Sequence, residues 1–181
     1  MDNSPVHPRQ HSSGEGCMNA LVVTITRACA IGKKVASLLA RIGITVTAVE
    51  REHLSSRLFK DLDLIVVVGG DGTFLRTAQY VRDGTPMLGV NSDPSRKEGF
   101  FLRTTEKDFP RKLERFLAGT AKTVRLSRLE ARIGGKRVPE LALNEFYFGK
   151  EKTYLTSRYT LDGELQKSSG VIISTAAGSH A

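Results

Sequence analysis

Between residues 19 and 119, short apolar runs alternate with segments whose apolar residues recur at helical spacing. Helical spacing over 28–41, 73–82 and 105–118 predicts three amphipathic helices. The runs are rich in β-branched residues and predict strands at 20–26, 44–49, 64–68 and 86–90. Strands that alternate with helices are typical of a parallel sheet covered by helices, so we expect an α/β domain over 19–119.

From residue 120 onward the pattern changes to short alternating stretches without helical spacing. Gly134-Gly135 and Asp162-Gly163 are typical two-residue hairpin turns. We therefore expect a β-rich domain over 120–181. About sixty residues are few for an independent β domain, so we expect this domain to be incomplete. Residues 1–18 are rich in Ser, Pro, His and Gly and predict a disordered extension.

The strand at 64–68 leads into a glycine-rich loop with the sequence Gly-Gly-Asp-Gly-Thr, residues 69–73. Glycines give phosphates access to backbone N–H groups, and the helix N-terminus that follows, with Thr73 as its expected N-cap, favours negative charge. Asp71 stands out, because a carboxylate repels phosphate unless a metal or a reacting hydroxyl lies between them. The loop therefore indicates phosphoryl transfer, with Gly69, Gly70 and Thr73 as the candidate phosphate-binding residues.

The formal charge of +8 predicts an anionic partner. Basic residues are dispersed, Trp is absent and no nucleic-acid motif is present, so phosphorylated metabolites are favoured over nucleic acid. The pair Arg96-Lys97 is interpreted as a flexible basic loop. Two cysteines and four histidines without ligand spacing predict no metal held by side chains. Without a long apolar run or a targeting leader, we expect a cytoplasmic protein that binds no membrane.

Two further segments follow the loop in order, Leu143-Asn144-Glu145 and the run Ser-Gly-Val-Ile-Ile-Ser-Thr-Ala-Ala-Gly-Ser at 169–179. In this order the three segments resemble the signature of NAD kinases, which phosphorylate NAD to NADP. The stretch Gly-Val-Asn-Ser-Asp-Pro at 89–94 resembles the mitochondrial-type branch of that family. The resemblance covers residues from about 20 to the end. It implies a Rossmann-like N-terminal domain followed by an all-β domain that binds NAD.

The resemblance also implies roles for individual residues. Asp71 would act as general base on the adenosine-ribose 2′-hydroxyl of NAD, or orient that hydroxyl towards the γ-phosphate of ATP. ATP would come with Mg²⁺ or another divalent cation, and the protein would form a homo-oligomer. The residues expected to contact NAD are Gly72, Arg76, Asn91, Asn144, Glu145, Ser169, Thr175, Gly178, Ser179, His180 and Ala181.

The chain departs from the family pattern at three places. Ser169 stands where many members carry an acidic residue, and residues 175–179 read Thr-Ala-Ala-Gly-Ser instead of Thr-Pro-Thr-Gly-Ser. Family members also continue beyond the second glycine loop, so we expect a chain truncated at its C-terminus. Two alternatives stay open: an inactive dinucleotide-binding fragment, and a lipid kinase of the diacylglycerol or sphingosine type, which shares the Gly-Gly-Asp-Gly loop.

Overall fold

The computed structural model describes residues 17–152 and 154–180, and the chain divides into two compact units. Unit 1 is Met1–Arg125 and unit 2 is Leu126–Ala181. Residues 1–16 of the expected disordered extension lie outside the described residues. Met18 packs against the core of unit 1, and its carbonyl accepts the N–H of Thr45 at 2.8 Å. The expectation of disorder is therefore wrong for Met18.

Unit 1 is built on a four-stranded parallel sheet whose strands lie in the order β2-β1-β3-β4. The strands are β1 (Asn19–Thr24), β2 (Thr45–Glu50), β3 (Leu64–Gly69) and β4 (Met87–Asn91). All of β3 and five of the six residues of β1 are buried, as expected for central strands covered on both faces. The four predicted strands are confirmed, with ends within two residues of those predicted.

Three helices cover the sheet of unit 1: α1 (Cys29–Arg41), α2 (Asp71–Ala78) and α3 (Phe109–Leu117). Val35 and Leu39 of α1 share one core cluster with Phe109, Leu113 and Phe116 of α3. Each such apolar side chain contributes about 1.5–3 kcal/mol when it is fully buried. The apolar stripes predicted from helical spacing therefore hold these two helices in the unit.

The helix α2 is displaced from its predicted bounds. It begins at Asp71, with Gly70 as its N-cap, and the expected cap Thr73 is buried inside the first turn. Its end at Ala78 is followed by two tight turns, in which the N–H groups of Tyr80 and Val81 bond the carbonyls three residues earlier. The consequence is that Asp71 lies in the first turn of the helix and not in a loop before it.

The helix α3 starts four residues after its predicted start, because Pro110 has no N–H for the carbonyl four residues earlier. A capping pair precedes it, in which Asp108 Oδ2 accepts the N–H and the hydroxyl of Thr105, both at 2.9 Å. These bonds hold the pKa of the Asp108 carboxyl below its usual value, and the bond from the Thr105 N–H has a larger effect than the bond from its hydroxyl. Thr105, the predicted first residue of the helix, therefore belongs to this capping pair, and the helix itself begins at Phe109.

Within its described residues, unit 2 consists of three two-stranded antiparallel sheets. They pair β5 (Leu129–Ile133) with β6 (Lys136–Ala142), β7 (Glu145–Gly149) with β10 (Gly170–Ser174), and β8 (Ser157–Leu161) with β9 (Glu164–Ser168). Both hairpin turns are confirmed, with φ of 56° and 77° at Gly134 and Gly135 and of 50° and 86° at Asp162 and Gly163. A parallel α/β unit followed by antiparallel β structure matches the predicted fold class. No helix of the described chain has both the length and the apolarity needed to cross a membrane.

Gly32 tests how closely α1 approaches β1. A Cβ added at Gly32 would collide with Cγ2 of Thr24, so we expect Gly32→Ala to lower the free energy of unfolding by about 1–3 kcal/mol. Urea denaturation measures this change. Lys33→Ala, at an exposed position of the same helix, should stay within about 0.5 kcal/mol. Adding Thr24→Ser removes the colliding methyl group and should restore part of the loss. Full stability of Gly32→Ala would contradict this packing.

Candidate active site

The loop 69–73 lies at the point in the sheet of unit 1 where the chain changes direction. After β1 the chain continues to β2 on one side of the sheet, whereas β3 continues to β4 on the other side. In open parallel sheets, ligands bind at the carboxyl ends of the strands that flank such a switch point. This glycine-rich segment comprises the last residue of β3, the N-cap Gly70 and the first three residues of α2, and we keep the name loop 69–73 for it. The fold therefore places it where a nucleotide would bind.

Asp71 ties this loop to the segment that follows β4. Its Oδ2 accepts the N–H of Phe100 at 2.8 Å, and its Oδ1 accepts the N–H of Phe101 at 2.9 Å. A carboxylate offers about four lone-pair directions, so each oxygen still has room for one more donor. Asp71 thus has two properties: it fixes a neighbouring backbone segment, and it retains acceptor capacity for a ligand.

The segment after β4 folds back tightly on the end of that strand. Asn91 is 4% exposed; its Nδ2 donates to the carbonyl of Lys97 at 2.7 Å, and its Oδ1 accepts the N–H of Asp93 at 2.9 Å. Gly99 has a φ of +70°, and a Cβ there would lie 2.9 Å from Asn91 Nδ2. Asn91 therefore shapes this loop, and its expected contact with NAD stays a prediction.

The three glycines of the loop differ in what surrounds them. A Cβ at Gly69 would lie 2.9 Å from Oγ1 of Thr73, which is 2% exposed, so Gly69 makes room for that buried side chain. Gly70 faces the end of the Lys97 side chain, at ordinary van der Waals distance. A Cβ added at Gly72 would point into open space, with no atom of another described segment within 4 Å. Close approach of a ligand is therefore open at Gly70 and Gly72, whereas Gly69 and Thr73 pack against each other.

The basic side chains near the loop have different surroundings. The pKa of the Glu52 carboxyl is lowered, chiefly by its hydrogen bond from Arg51, and the charge of Arg76 contributes to this shift. Arg76 is exposed, and its charge makes the smallest of the contributions to this shift. Lys97 lies against Gly70 instead, although the sequence pattern predicts only a basic loop at that position. Lys97 follows β4, and the loop after β4 lies at the same edge of the sheet as the loop after β3. This position in the sequence is the feature from which its proximity to Gly70 could have been predicted.

In unit 2 the two remaining motifs come together. The N–H of Thr175 donates to the Asn144 carbonyl at 2.7 Å, and its hydroxyl donates to the Leu143 carbonyl at 2.6 Å and accepts the Gly178 N–H at 2.9 Å. A Cβ at Gly178 would collide with the backbone of Asn144. The second glycine loop is thus packed directly on the Asn144-Glu145 segment.

Asn144 carries an unused acceptor. Its Oδ1 is buried and has no hydrogen-bond partner among the described residues. Buried polar oxygens in proteins nearly always have a partner, and an exception points to a ligand or a water. The neighbouring Glu145 is exposed at the start of β7, opposite Ser174. The pair therefore offers one buried and one exposed acceptor side by side.

The other expected NAD contacts of unit 2 are more open. Ser169 lies exposed between β9 and β10, and its carbonyl accepts the Tyr147 hydroxyl at 2.7 Å. The exposed Ser179 donates its hydroxyl to the Ala176 carbonyl at 2.9 Å. The His180 side chain and Ala181 lie outside the described residues. Within the described part of the chain, no group of three or more His, Cys, Asp or Glu side chains is placed to hold a metal ion.

The parallel sheet with a glycine-rich loop at its switch point, followed by antiparallel β structure, defines an α/β protein with a β-rich second unit. The family model of the ATP-NAD kinase N-terminal domain matches residues 18–121. The chain therefore belongs to the ATP-NAD kinase family. The family resemblance read from the three motifs is confirmed, and the lipid-kinase alternative is set aside.

Relatives in three kingdoms carry related names. A "Probable NADH kinase" of Oryza sativa subsp. japonica is 31% identical over 80% of this chain and 52% of its own length. "NAD kinase 2, mitochondrial" of Homo sapiens is 28% identical over 77% of this chain and 42% of its own. An "NAD kinase" of Acinetobacter baylyi is 34% identical over 70% of this chain and 43% of its own. The chain spans about half the length of the curated relatives it matches.

The fold is shared with a solved structure, the crystal structure of an NAD kinase from Archaeoglobus fulgidus in complex with ATP. The TM-score is 0.68 at 24% sequence identity, over 90% of this chain and 62% of that one. The architecture predicted from the sequence is therefore that of a known fold.

The Asp71 contacts can be tested through the backbone that they hold. We expect Asp71→Ala to speed amide hydrogen exchange of Phe100 and Phe101 by about 10- to 100-fold, because each bond to a carboxylate contributes about 1.5–3 kcal/mol. Asp71→Asn keeps one acceptor oxygen and should give an intermediate rate. Glu98→Gln, an exposed acid in the same segment, serves as the control and should leave both amides unchanged. Unchanged exchange in Asp71→Ala would refute the clamp.

Proposed function

We propose that this chain is an NAD kinase, which transfers the γ-phosphoryl group of ATP to the 2′-hydroxyl of the adenosine ribose of NAD or NADH. The observation that carries the proposal is Asp71: an acceptor carboxylate held by two backbone N–H groups at the switch point of the sheet, in a chain of the ATP-NAD kinase family. Both acceptors are included because relatives are named NAD kinase and NADH kinase.

Asp71 would accept the proton of the attacking hydroxyl and orient it. Its two N–H bonds fix the carboxylate, so its free lone pairs have a defined direction before the substrate arrives. Phosphoryl transfer passes through a loose transition state in which the hydroxyl proton leaves late, so orientation contributes more than basicity. A preorganised carboxylate suits this task.

The phosphates of ATP would approach α2 at Gly70 and also at Gly72, which the family resemblance assigns to NAD. The first N–H groups of a helix have no partner within the helix and lie at the positive end of its dipole. Mg²⁺ or another divalent cation would be held mainly by the phosphate oxygens, in keeping with the way Mg²⁺ binds in kinases. When bound, it neutralises charge on the transferred group.

The residues of unit 2 would bind the dinucleotide. The buried Oδ1 of Asn144 accepts a hydrogen bond from a ribose hydroxyl, and Glu145 beside it accepts from the neighbouring hydroxyl of the same diol. Thr175 and Gly178 hold the second glycine loop against this pair. The same proposal includes the remaining NAD contacts, at Arg76, Asn91, Ser169, Ser179, His180 and Ala181. It also includes a homo-oligomer and a cytoplasmic location, although several relatives are named mitochondrial.

A second candidate function is dinucleotide binding without phosphoryl transfer. It is favoured by the engagement of both Asp71 oxygens with the backbone of Phe100 and Phe101. Under this alternative, Asp71 is a structural clamp only. The two functions differ in whether NADP forms.

The activity test supplies the purified chain with ATP, Mg²⁺ and either NAD or NADH, and follows NADP or NADPH with a dehydrogenase specific for the phosphorylated form. We expect product, and a loss of about 10²–10⁴-fold in kcat for Asp71→Asn, the usual contribution of a positioned general base. Asp93→Asn is the matched control, because it removes a carboxylate from the neighbouring loop after β4.

Calorimetric titration with NAD completes the test. Retained NAD binding in Asp71→Asn with lost turnover supports the role of Asp71 in transfer. A folded chain that binds NAD and forms no NADP would support the binding function instead. Normal kcat in Asp71→Asn would refute the assigned role.

Gly72 tests whether phosphates approach α2. We expect Gly72→Ala to keep or raise the free energy of unfolding, by up to about 1 kcal/mol, because the added methyl meets no described residue within 4 Å and alanine favours helices. ATP binding should nevertheless weaken, since the methyl group occupies the space through which a phosphate would approach. Gln79→Ala, exposed at the C-cap of the same helix, should change neither. Unchanged ATP affinity in a stable Gly72→Ala protein would contradict the proposed phosphate position.

A further inference from the structure

We propose that Lys97 binds phosphate oxygens of the nucleotide at the loop 69–73, and thereby positions the substrate for transfer. The inference deepens the proposed function and rests on it for the reaction. Its ligand is the phosphate chain of a nucleotide, supplied either by ATP or by the dinucleotide.

The position of Lys97 is the first observation. A Cβ built at Gly70 would lie 3.6 Å from Nζ of Lys97 and 3.7 Å from its Cδ. The side chain therefore crosses from the loop after β4 to the loop after β3, and its ammonium lies beside the N-cap of α2. A phosphate that approaches Gly70 would meet this ammonium.

The backbone of Lys97 is held in place from two directions. Its carbonyl accepts Nδ2 of the buried Asn91 at 2.7 Å, and its N–H donates to the carbonyl of Asp93 at 3.0 Å. Asp71 fixes the same loop three residues later through Phe100. Lys97 thus extends from a braced segment, so its side chain starts from a fixed point near the glycine loop.

The Lys97 ammonium forms no ion pair with any residue that the structure describes. A cation beside a helix N-terminus faces the positive end of the helix dipole and is repelled by it. An anion between the ammonium and the helix would reverse this repulsion and be attracted to both.

The donors at this place suit a phosphate group. The N–H groups of Asp71 and Gly72 have no acceptor among the described residues, while those of Thr73 and Phe74 bond the Gly70 carbonyl. Two backbone donors and one ammonium match the several acceptor oxygens of a phosphate chain. Lysine supplies a compact point charge on a flexible stem, which can follow a phosphate between its bound states.

The test compares Lys97→Gln with Arg96→Gln, which removes the adjacent positive charge from the same loop. We expect Lys97→Gln to raise KM for the substrate whose phosphates it contacts by about ten-fold or more, the loss typical of a charge-assisted bond. Arg96→Gln should change it less than about three-fold, because an exposed charge acts weakly. Lys97→Arg retains the charge and should recover most of the affinity. None of the three variants should unfold at a lower temperature than the original protein, since both positions are exposed.

Which KM rises identifies the source of the phosphates: KM for ATP points to the triphosphate, and KM for NAD to the diphosphate. Calorimetric titration with inorganic triphosphate separates this inference from the proposed function. Weaker triphosphate binding in Lys97→Gln, in a protein that forms no NADP, would sustain the phosphate site and reject the kinase. NADP formation with both KM values and triphosphate affinity equal to those of Arg96→Gln would reject the role of Lys97 and leave the kinase in place.

Discussion

The pair of hydrogen bonds from the Phe100 and Phe101 N–H groups to Asp71 is the constraint on which the candidate site of unit 1 depends. It joins the loop after β3 to the loop after β4, which are otherwise linked at this edge by the bonds of Ser92 to the Gly69 carbonyl. Because backbone groups donate both bonds, the carboxylate is fixed whatever side chains stand at 100 and 101. One carboxylate therefore shapes the loop and, under the proposed function, would offer its remaining lone pairs to a hydroxyl. Holding the loop and accepting a bond from a hydroxyl both need a carboxylate, since an amide side chain offers only one acceptor oxygen.

Glycine serves two separate physical purposes at this edge, and the structure distinguishes them. Gly69 and Gly32 are places where protein packs against protein: Thr73 fills the space beside the first, and Thr24 the space beside the second. Gly72 has open space before it, which no described residue within 4 Å occupies. Glycine in a helix costs stability relative to alanine, so an open glycine in the first turn of α2 has no folding advantage. Its presence there agrees with the proposed approach of a phosphate to this part of the backbone.

Much of the fold follows from short-range pattern. The β-branched runs predict all four parallel strands, and the Gly134-Gly135 and Asp162-Gly163 pairs predict both hairpins, because these signals act within a few residues. The starts of α2 and α3 are displaced, since Gly70 caps the first and Pro110 delays the second. The Asp71 clamp and the position of Lys97 escape prediction for a different reason. Their partners lie about thirty residues away in sequence, and neither periodicity nor composition links residues across that separation.

In unit 2, too, one side chain holds the candidate residues together through hydrogen bonds to backbone groups. Thr175 uses its hydroxyl as donor to the Leu143 carbonyl and as acceptor from the Gly178 N–H, so one buried side chain joins two segments through backbone groups. Gly178 has to be glycine because the Asn144 backbone occupies the place of a Cβ. This arrangement leaves Asn144 Oδ1 buried without a partner among the described residues. An unpaired buried acceptor costs about 1–3 kcal/mol. A hydroxyl that donates to it would recover that cost on binding, so the unpaired oxygen favours a ligand with a donor at that point over one without.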